Sequence, residues 1–170
     1  MNNPLTHVSN DGRAHMVDVG SKPLTRRRAV ASGRVTMAPE TLAAALAGGG
    51  PKGPVIEVAR LAAICGAKKT AELIPLCHAL PIDQVEVSIV ADGGDGLAIT
   101  AAVSTTWRTG VEMEAFAAVA MAGLTLIDML KAIDRGLVLT DVRLEHKSGG
   151  RSGTWERGAG PGEATSRQQP

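Results

Sequence analysis

The sequence predicts an α+β fold in which helices pack on one face of an antiparallel sheet. Segments 82–91 and 97–107 alternate in polarity on either side of the Gly-rich turn 92–96, which is typical of a β-hairpin. The apolar segment 109–136 follows and predicts a long helix that is buried over most of its circumference. A chain of 170 residues is long enough for one domain with a substantial core.

Three elements are predicted before the hairpin. Residues 26–37 alternate weakly, which predicts a first strand with one charged face. Pro39 lies at an early position of a short helix over residues 41–47, and the glycines that follow end this helix. Residues 55–69 return to helical spacing, with an apolar stripe made of Val58, Leu61, Ala62 and Cys65.

A last strand over residues 137–146 completes the order strand, helices, strand, strand, helix, strand. That order is the βαββαβ plan of a ferredoxin-like sandwich. We assign residues 1–153 to a single domain that begins with an extended arm over residues 1–22. Residues 154–170 show no periodicity and are rich in Gly, Pro, Glu and Gln, which predicts a disordered tail that is dispensable for activity.

Charge and composition exclude several classes of function. Lys and Arg number 18 and Asp and Glu number 17, so the chain lacks the basic excess of a general nucleic-acid binder. An aromatic content of 2% leaves no surface on which bases could stack. Two cysteines give no disulfide framework, and the sequence shows neither a signal peptide nor a charge-free membrane span. We therefore expect a soluble cytoplasmic protein.

The predicted long helix carries charges near both ends, although its middle is almost entirely apolar. Thr109 and Glu112 fit a capping box, so Glu112 has either a capping role or a binding role. Glu114 has no capping role, although acids also favour the first turn of a helix. Asp128 and Lys131 share a helix face and fit either a surface ion pair or an acid–base pair. Their apolar neighbours favour a confined setting, in which a Lys readily exchanges protons.

Two loops carry further candidate residues. The loop between Pro75 and Pro81 holds Cys77 and His78, and adjacent residues alone do not provide the spacing of metal ligands, so we predict no metal site. A buried structural role and an acid–base or phosphate-binding role both remain open for His78. Residues 147–153, KSGGRSG, fit either an anion-binding nest of backbone N–H groups beside two cations or a flexible exit into the tail.

Five segments carry a resemblance to a known family. They are LTH (5–7), HMVDV (15–19), AAICGAKKTAELIPLCHAL (62–80), TGVEMEAFAAVAMAGLTLIDMLKAID (109–134) and KSGGRSG (147–153). In this order and spacing they resemble the cyclic pyranopterin monophosphate synthase family, the molybdenum cofactor biosynthesis C proteins. The resemblance implies a ferredoxin-like enzyme that converts (8S)-3′,8-cyclo-7,8-dihydroguanosine 5′-triphosphate to cyclic pyranopterin monophosphate and releases diphosphate.

The resemblance also implies roles for individual residues. Asp128 and Lys131, in DMLKA, match the catalytic pair of the family. The matching substrate-binding residues are Leu76, Cys77, His78, Glu112, Met113 and Glu114, and the matching phosphate-binding positions are Lys52 and Lys147. The sequence departs from the usual family pattern at a few positions, namely Gly20, Ala79, Arg108 and Arg151, and none of these changes removes a titrating group.

The resemblance further implies a homohexamer, a trimer of dimers with active sites at subunit interfaces. The resemblance also implies that a radical SAM enzyme, the GTP 3′,8-cyclase, supplies the substrate. No cofactor is required by the residues, and assistance by Mg²⁺ is left open. A rival hypothesis is a ferredoxin-like regulatory module that binds a nucleotide without turning it over; it explains the basic loops but not Asp128 and Lys131 on an apolar helix.

Overall fold

The computed structural model describes residues 12–48 and 52–158 of the chain. The LTH motif at residues 5–7 and the end of the predicted tail, residues 159–170, lie outside the described residues. Of the predicted arm, residues 12–22 are described, and they run without a regular helix or strand toward the start of the sheet.

The secondary structure follows the predicted order. The strands are β1 (Thr25–Thr36), β2 (Gln84–Ala91), β3 (Gly96–Trp107), β4 (Val138–Ser148) and β5 (Trp155–Glu156). The helices are α1 (Pro39–Leu46), α2 (Val55–Lys68), α3 (Thr70–Leu73) and α4 (Glu112–Leu130). The sheet has the order β2-β3-β1-β4-β5, and every neighbouring pair is antiparallel. The ferredoxin-like α+β prediction is therefore confirmed.

Helix α4 packs on the central strand β1 of the sheet. The alternate residues Ala29, Ala31 and Val35 of β1 are fully buried, and Ala31 lies opposite Ala101 of β3. A Cβ atom built on Gly33 would lie 2.6 Å from Cγ1 of Val119, so the glycine allows α4 to lie close to the sheet. The small residues along β1 thus determine how closely α4 packs against the sheet.

Helix α2 packs beside α4 through a face different from the one that the sequence predicted. Its buried residues are Val55, Ala59, Ala63, Gly66 and Ala67. The predicted stripe is wrong as a core face, because Leu61 is 63% exposed and Cys65 is exposed as well. The physical reason is size: a Cβ on Gly66 would lie 2.6 Å from Met121 of α4, so only small side chains fit between the two helices.

Helix α4 is shorter at both ends than the predicted 109–136. Its N-cap is Val111 and has no side-chain cap, and the buried Thr109 hydroxyl has no hydrogen-bond partner among the described residues. The predicted capping box is therefore wrong. At the other end the chain leaves the helix after Leu130, and the Asp134 carboxylate accepts hydrogen bonds from the backbone N–H groups of Ala38 and Gly136 at 2.9 and 2.7 Å.

By length and composition α4 could span a membrane, and half of its apolar window is buried inside the domain. The buried side chains of Ala118, Ala122 and Leu126 belong to the core that the helix forms with the sheet. α4 therefore has the contacts of a central core helix.

The predicted disorder from residue 154 onward does not hold for the described part of the tail. Trp155–Glu156 form β5, which pairs with β4 at the edge of the sheet. Of residues 147–153, the first two accordingly end β4 and the others lie in the turn of the β4–β5 hairpin, so the segment is not an exit into a flexible tail. The sequence alone gave no sign of this, because a two-residue strand is too short to show alternation.

Candidate active site

The predicted site residues form two groups, one at each end of α4. Met113 and Glu114 lie in the first turn of the helix, close to the loop that holds Cys77 and His78. Asp128 and Lys131 lie at its end. The structure thus brings most of the predicted binding residues together and places the predicted catalytic pair elsewhere on the same chain.

Glu114 is the buried titrating group of the first end. The residue is 4% exposed and borders a cleft of about 300 Å³ that Leu76, Cys77, His78 and Met113 also line. Burial raises the pKa of its carboxyl to about 7. A hydrogen bond with its own backbone lowers the pKa in part, and the negative charge of the neighbouring Glu112 raises it further. A carboxyl group with such a pKa can both donate and accept a proton near neutral pH.

The His78 loop is fixed to the N-terminal arm. His78 Nε2 lies 2.9 Å from the carbonyl oxygen of Val17, to which it donates, so the other ring nitrogen is an acceptor in the neutral ring. Val17 and Val19 of the HMVDV motif line the same cleft as the His78 loop. Burial, followed by the charge of Glu114, raises the pKa of the Cys77 thiol, which therefore stays protonated near neutral pH.

A larger cleft of about 710 Å³ adjoins the first and is strongly cationic. Its six Lys and Arg side chains are Lys22, Arg27, Arg28, Arg108, Lys147 and Arg151. Residues 149–152, in the turn after β4, also line this cleft. Such an arrangement of guanidinium and ammonium groups is suited to a polyanion.

Four residues of this cationic cleft have no binding role predicted from the sequence: Lys22, Arg27, Arg28 and Arg108. The sequence contains a run of three arginines at residues 26–28, but its alternation predicts only a strand with one charged face. Arg28 is held by Glu86 at 3.1 Å, whereas Nε of Arg27 is buried without a hydrogen-bond partner among the described residues. Arg27 Nη2 donates to the carbonyl oxygen of Arg108 at 3.2 Å, which keeps the guanidinium at the cleft.

Glu112 stands between the two clefts and lines both. Its Oε1 accepts a hydrogen bond from Nζ of Lys147 at 3.0 Å, so Glu112 holds the lysine at the cleft instead of capping the helix. A Cβ on Gly110 would lie 1.9 Å from Oε2 of Glu112, so the carboxylate folds back closely over this glycine. Glu112 therefore pairs with Lys147 in place of capping, and its role in binding stays a prediction.

At the other end of α4, Asp128 joins two lysines. Its Oδ2 accepts from Lys52 and its Oδ1 from Lys131, both at 2.7 Å. These hydrogen bonds, with that from Lys131 the stronger, lower the pKa of Asp128 to about 2. Asp128 is therefore a permanent carboxylate near neutral pH, and it keeps the two ammonium groups side by side.

The expected confinement of this pair is not found in the single chain. Asp128 and Lys131 have side chains that are 52% and 60% exposed, because they lie on the face of α4 that is turned away from the sheet. Fourteen residues separate Glu114 from Asp128, which corresponds to about 21 Å along the helix axis. The two groups of predicted residues therefore cannot contact one small ligand within one chain.

Within the described residues, no group of three or more His, Cys, Asp or Glu side chains is arranged to hold a metal ion. The chemistry of the clefts is that of cations and proton-exchanging side chains. A ferredoxin-like sheet that carries a cationic cleft beside a buried carboxyl group defines an α+β domain suited to an anionic small molecule.

Comparison with known proteins gives the family. The sequence model of the MoaC family matches residues 16–150, so the chain belongs to the MoaC family, and the resemblance noted in the sequence is confirmed. A cyclic pyranopterin monophosphate synthase from Thermomicrobium roseum is 56% identical over 154 residues, covering 90% of this chain and 93% of that protein. The synthase from Streptomyces coelicolor is 53% identical, covering 90% of this chain and 89% of that protein. Cyclic pyranopterin monophosphate synthase 3 from Mycobacterium tuberculosis is 54% identical, covering 90% and 86%.

Proposed function

We propose that the chain is an enzyme of molybdenum cofactor biosynthesis that converts (8S)-3′,8-cyclo-7,8-dihydroguanosine 5′-triphosphate to cyclic pyranopterin monophosphate and diphosphate. The observation that carries this proposal is the cationic cleft directly beside the buried Glu114. The cleft suits a triphosphate, and the carboxyl group suits a reaction with several proton transfers. The membership in a family whose relatives are named as synthases supports the same activity.

The cationic cleft takes the phosphate groups in this proposal. Lys147 lies near the end of β4 and Arg151 on the turn that follows, while Arg27 lies near the start of β1 and Arg108 directly after β3. Cations that surround a phosphate chain stabilise the negative charge that develops on the departing diphosphate. The only carboxylate that lines this cleft among the described residues, Glu112, is already neutralised by Lys147.

Glu114 and Asp128, two of the titrating groups in this proposal, differ widely in pKa. Glu114, with a pKa of about 7, exchanges protons near neutral pH, and His78 lines the same cleft. Asp128, with a pKa of about 2, is too weak a base to hold a proton and instead fixes Lys131 and Lys52. Lys131 is then the catalytic acid or base of the second group, and Asp128 positions its ammonium group.

The active site is completed by a second copy of the chain. The distance of about 21 Å between Glu114 and Asp128 along α4 requires that the two groups reach one substrate from different subunits. Exposed apolar side chains on α2 and α4, with Leu61 at 63% and Leu124 at 54% exposure, support contact with another copy. The assembly we propose is the homohexamer of the family resemblance, a trimer of dimers in the cytoplasm, with the radical SAM cyclase as the source of substrate.

Incubation of the purified protein with the cyclic dihydro-GTP substrate tests this function. We expect diphosphate and cyclic pyranopterin monophosphate to appear in equal amounts, and the Lys131→Ala variant serves as the matched negative control. Tight binding of the substrate without release of diphosphate would instead favour the rival nucleotide-binding module.

A further inference from the structure

The end of β4, which carries Lys147 and leads into the turn with Arg151, is paired on both sides. On one side Lys147 lies opposite Ala29 of β1, and on the other side it lies opposite Trp155 of β5. The backbone of this lysine is therefore inside a three-stranded arrangement, although the turn itself is at the surface. The short strand β5 is the part of this arrangement that the proposed function has not used.

Arg157, directly after β5, fastens the hairpin to β4. Its backbone N–H donates to the carbonyl oxygen of Glu145 at 2.9 Å, and its Nε donates to the carbonyl oxygen of Leu144 at 2.7 Å. The same Nε lies 3.4 Å from Oε2 of Glu145, and the guanidinium lies 5.7 Å from the centroid of the Trp155 ring. One side chain thus contacts both strands of the hairpin.

Three further contacts strengthen the hairpin, and one of them joins it to β1. Glu145 also accepts hydrogen bonds from the Ser32 hydroxyl of β1 and, at 2.7 Å, from Nε of Arg143. His146 Nδ1 lies 3.3 Å from Oε1 of Glu156 in β5. The fastening of β5 is therefore continuous with β4 and with the central strand.

The turn itself presses against β1 at the cationic cleft. Gly149 has a φ of 96°, and a Cβ on it would lie 2.1 Å from the carbonyl oxygen of Arg26. A Cβ on Gly150 would lie 2.0 Å from Nη1 of Arg27. β4 holds the first end of this turn through its pairing with β1, and β5 holds the other end through its pairing with β4.

We infer that residues 155–157 are positioning residues that hold the end of β4 and the turn after it, residues 147–153, in place, so that Lys147 and Arg151 face the cationic cleft before an anion arrives. This inference rests on the proposed function, in which that cleft takes the phosphate groups. A preformed cationic turn binds an anion more tightly than a mobile one, because less conformational freedom is lost on binding. The sequence predicts that the tail is dispensable from residue 154 onward. We now expect the dispensable part to begin after residue 158.

Binding of inorganic diphosphate, measured by calorimetry at fixed ionic strength, tests the inference on four proteins. These are the full chain, a chain ending at residue 158, a chain ending at residue 153, and the full-length Arg157→Ala variant. We expect the first two to bind with the same Kd and the other two to bind at least tenfold more weakly. In turnover assays their KM should rise by more than their kcat falls, and Arg157→Lys should recover part of the loss.

Hydrogen exchange separates positioning of the turn from support of the whole fold. In Arg157→Ala, amides of residues 147–153 should exchange faster while those of β1 and β3 keep their protection. If the chain ending at residue 153 and the Arg157→Ala variant bind diphosphate as tightly as the full chain, the inference is overturned. Faster hydrogen exchange throughout the sheet of Arg157→Ala would overturn it as well. If the full chain itself does not bind diphosphate, the phosphate role of the cleft fails, while the exchange rates still decide whether β5 orders the turn.

Discussion

Lys52 Nζ lies 2.7 Å from Oδ2 of Asp128, which joins the loop before α2 to the end of α4. The pair was predicted as two separate features, a phosphate-binding lysine and a catalytic acid. Together with Lys131 it forms a group of two cations around one carboxylate that stays ionised, since the pKa of Asp128 is lowered to about 2. The structure thus shows Asp128 in contact with both lysines, which its place in a helix could not reveal.

Asp128→Asn and Lys131→Ala should each lower turnover by at least about 100-fold, the usual contribution of a positioned acid–base group. Both side chains are more than half exposed, so the melting temperature should change little. Asp92→Asn is a matched control, because Asp92 is also 52% exposed and pairs with Arg34 at 2.7 Å far from the clefts. Near-normal turnover in either variant contradicts the assignment, and turnover lost together with helical signal would make the residue structural.

Glu114→Gln should remove a pH dependence of stability. The folded-state pKa of Glu114 is raised from 4.5 to about 7, so the folded state binds more protons between these values than the unfolded state does. Stability from the neutral carboxyl is fully present below pH 4.5 and is lost as the pH rises through about 7, by on the order of 3 kcal/mol.

Denaturant unfolding at pH 5 and pH 8 measures this effect. The wild-type protein should lose more stability than Glu114→Gln between the two pH values. Glu40→Gln, at an exposed position of α1, should behave like the wild type. Identical pH dependence in the wild type and in Glu114→Gln would show that Glu114 is not the group that titrates.

Gly149→Ala should be more damaging than Gly153→Ala, although both glycines have positive φ, at 96° and 64°. A Cβ on Gly153 meets nothing within 4 Å, so that substitution costs only the left-handed backbone, about 1–2 kcal/mol. A Cβ on Gly149 would also collide with the backbone of β1, which has to move. Diphosphate affinity and unfolding free energy, measured on both variants, check this order; equal losses would mean that contact with β1 is unimportant.

Mixed oligomers test whether each active site is shared. Inactive Glu114→Gln and inactive Lys131→Ala proteins, unfolded and refolded together, should regain part of the activity, because some sites then contain neither lesion. Differently tagged chains purified in tandem show that mixed oligomers form. If such oligomers stay as inactive as their parents, the two residues act from one chain.

The sequence by itself determined the order of elements, the hairpin between β2 and β3, and the family. These features depend on local periodicity, turn composition and ordered motifs, which are properties of the chain. It also identified both groups of candidate residues, since Glu114, His78, Asp128 and Lys131 stand in short recognisable segments.

Only the tertiary structure decided which faces are buried and which charges meet. Helix α2 buries its small residues and not its large ones, because α4 lies too close for a larger side chain at Gly66. Glu112 pairs with Lys147 across 35 positions of sequence, and β5 fixes the turn beside them. Such contacts depend on how strands and helices come together in space, and no local pattern in the chain records that geometry.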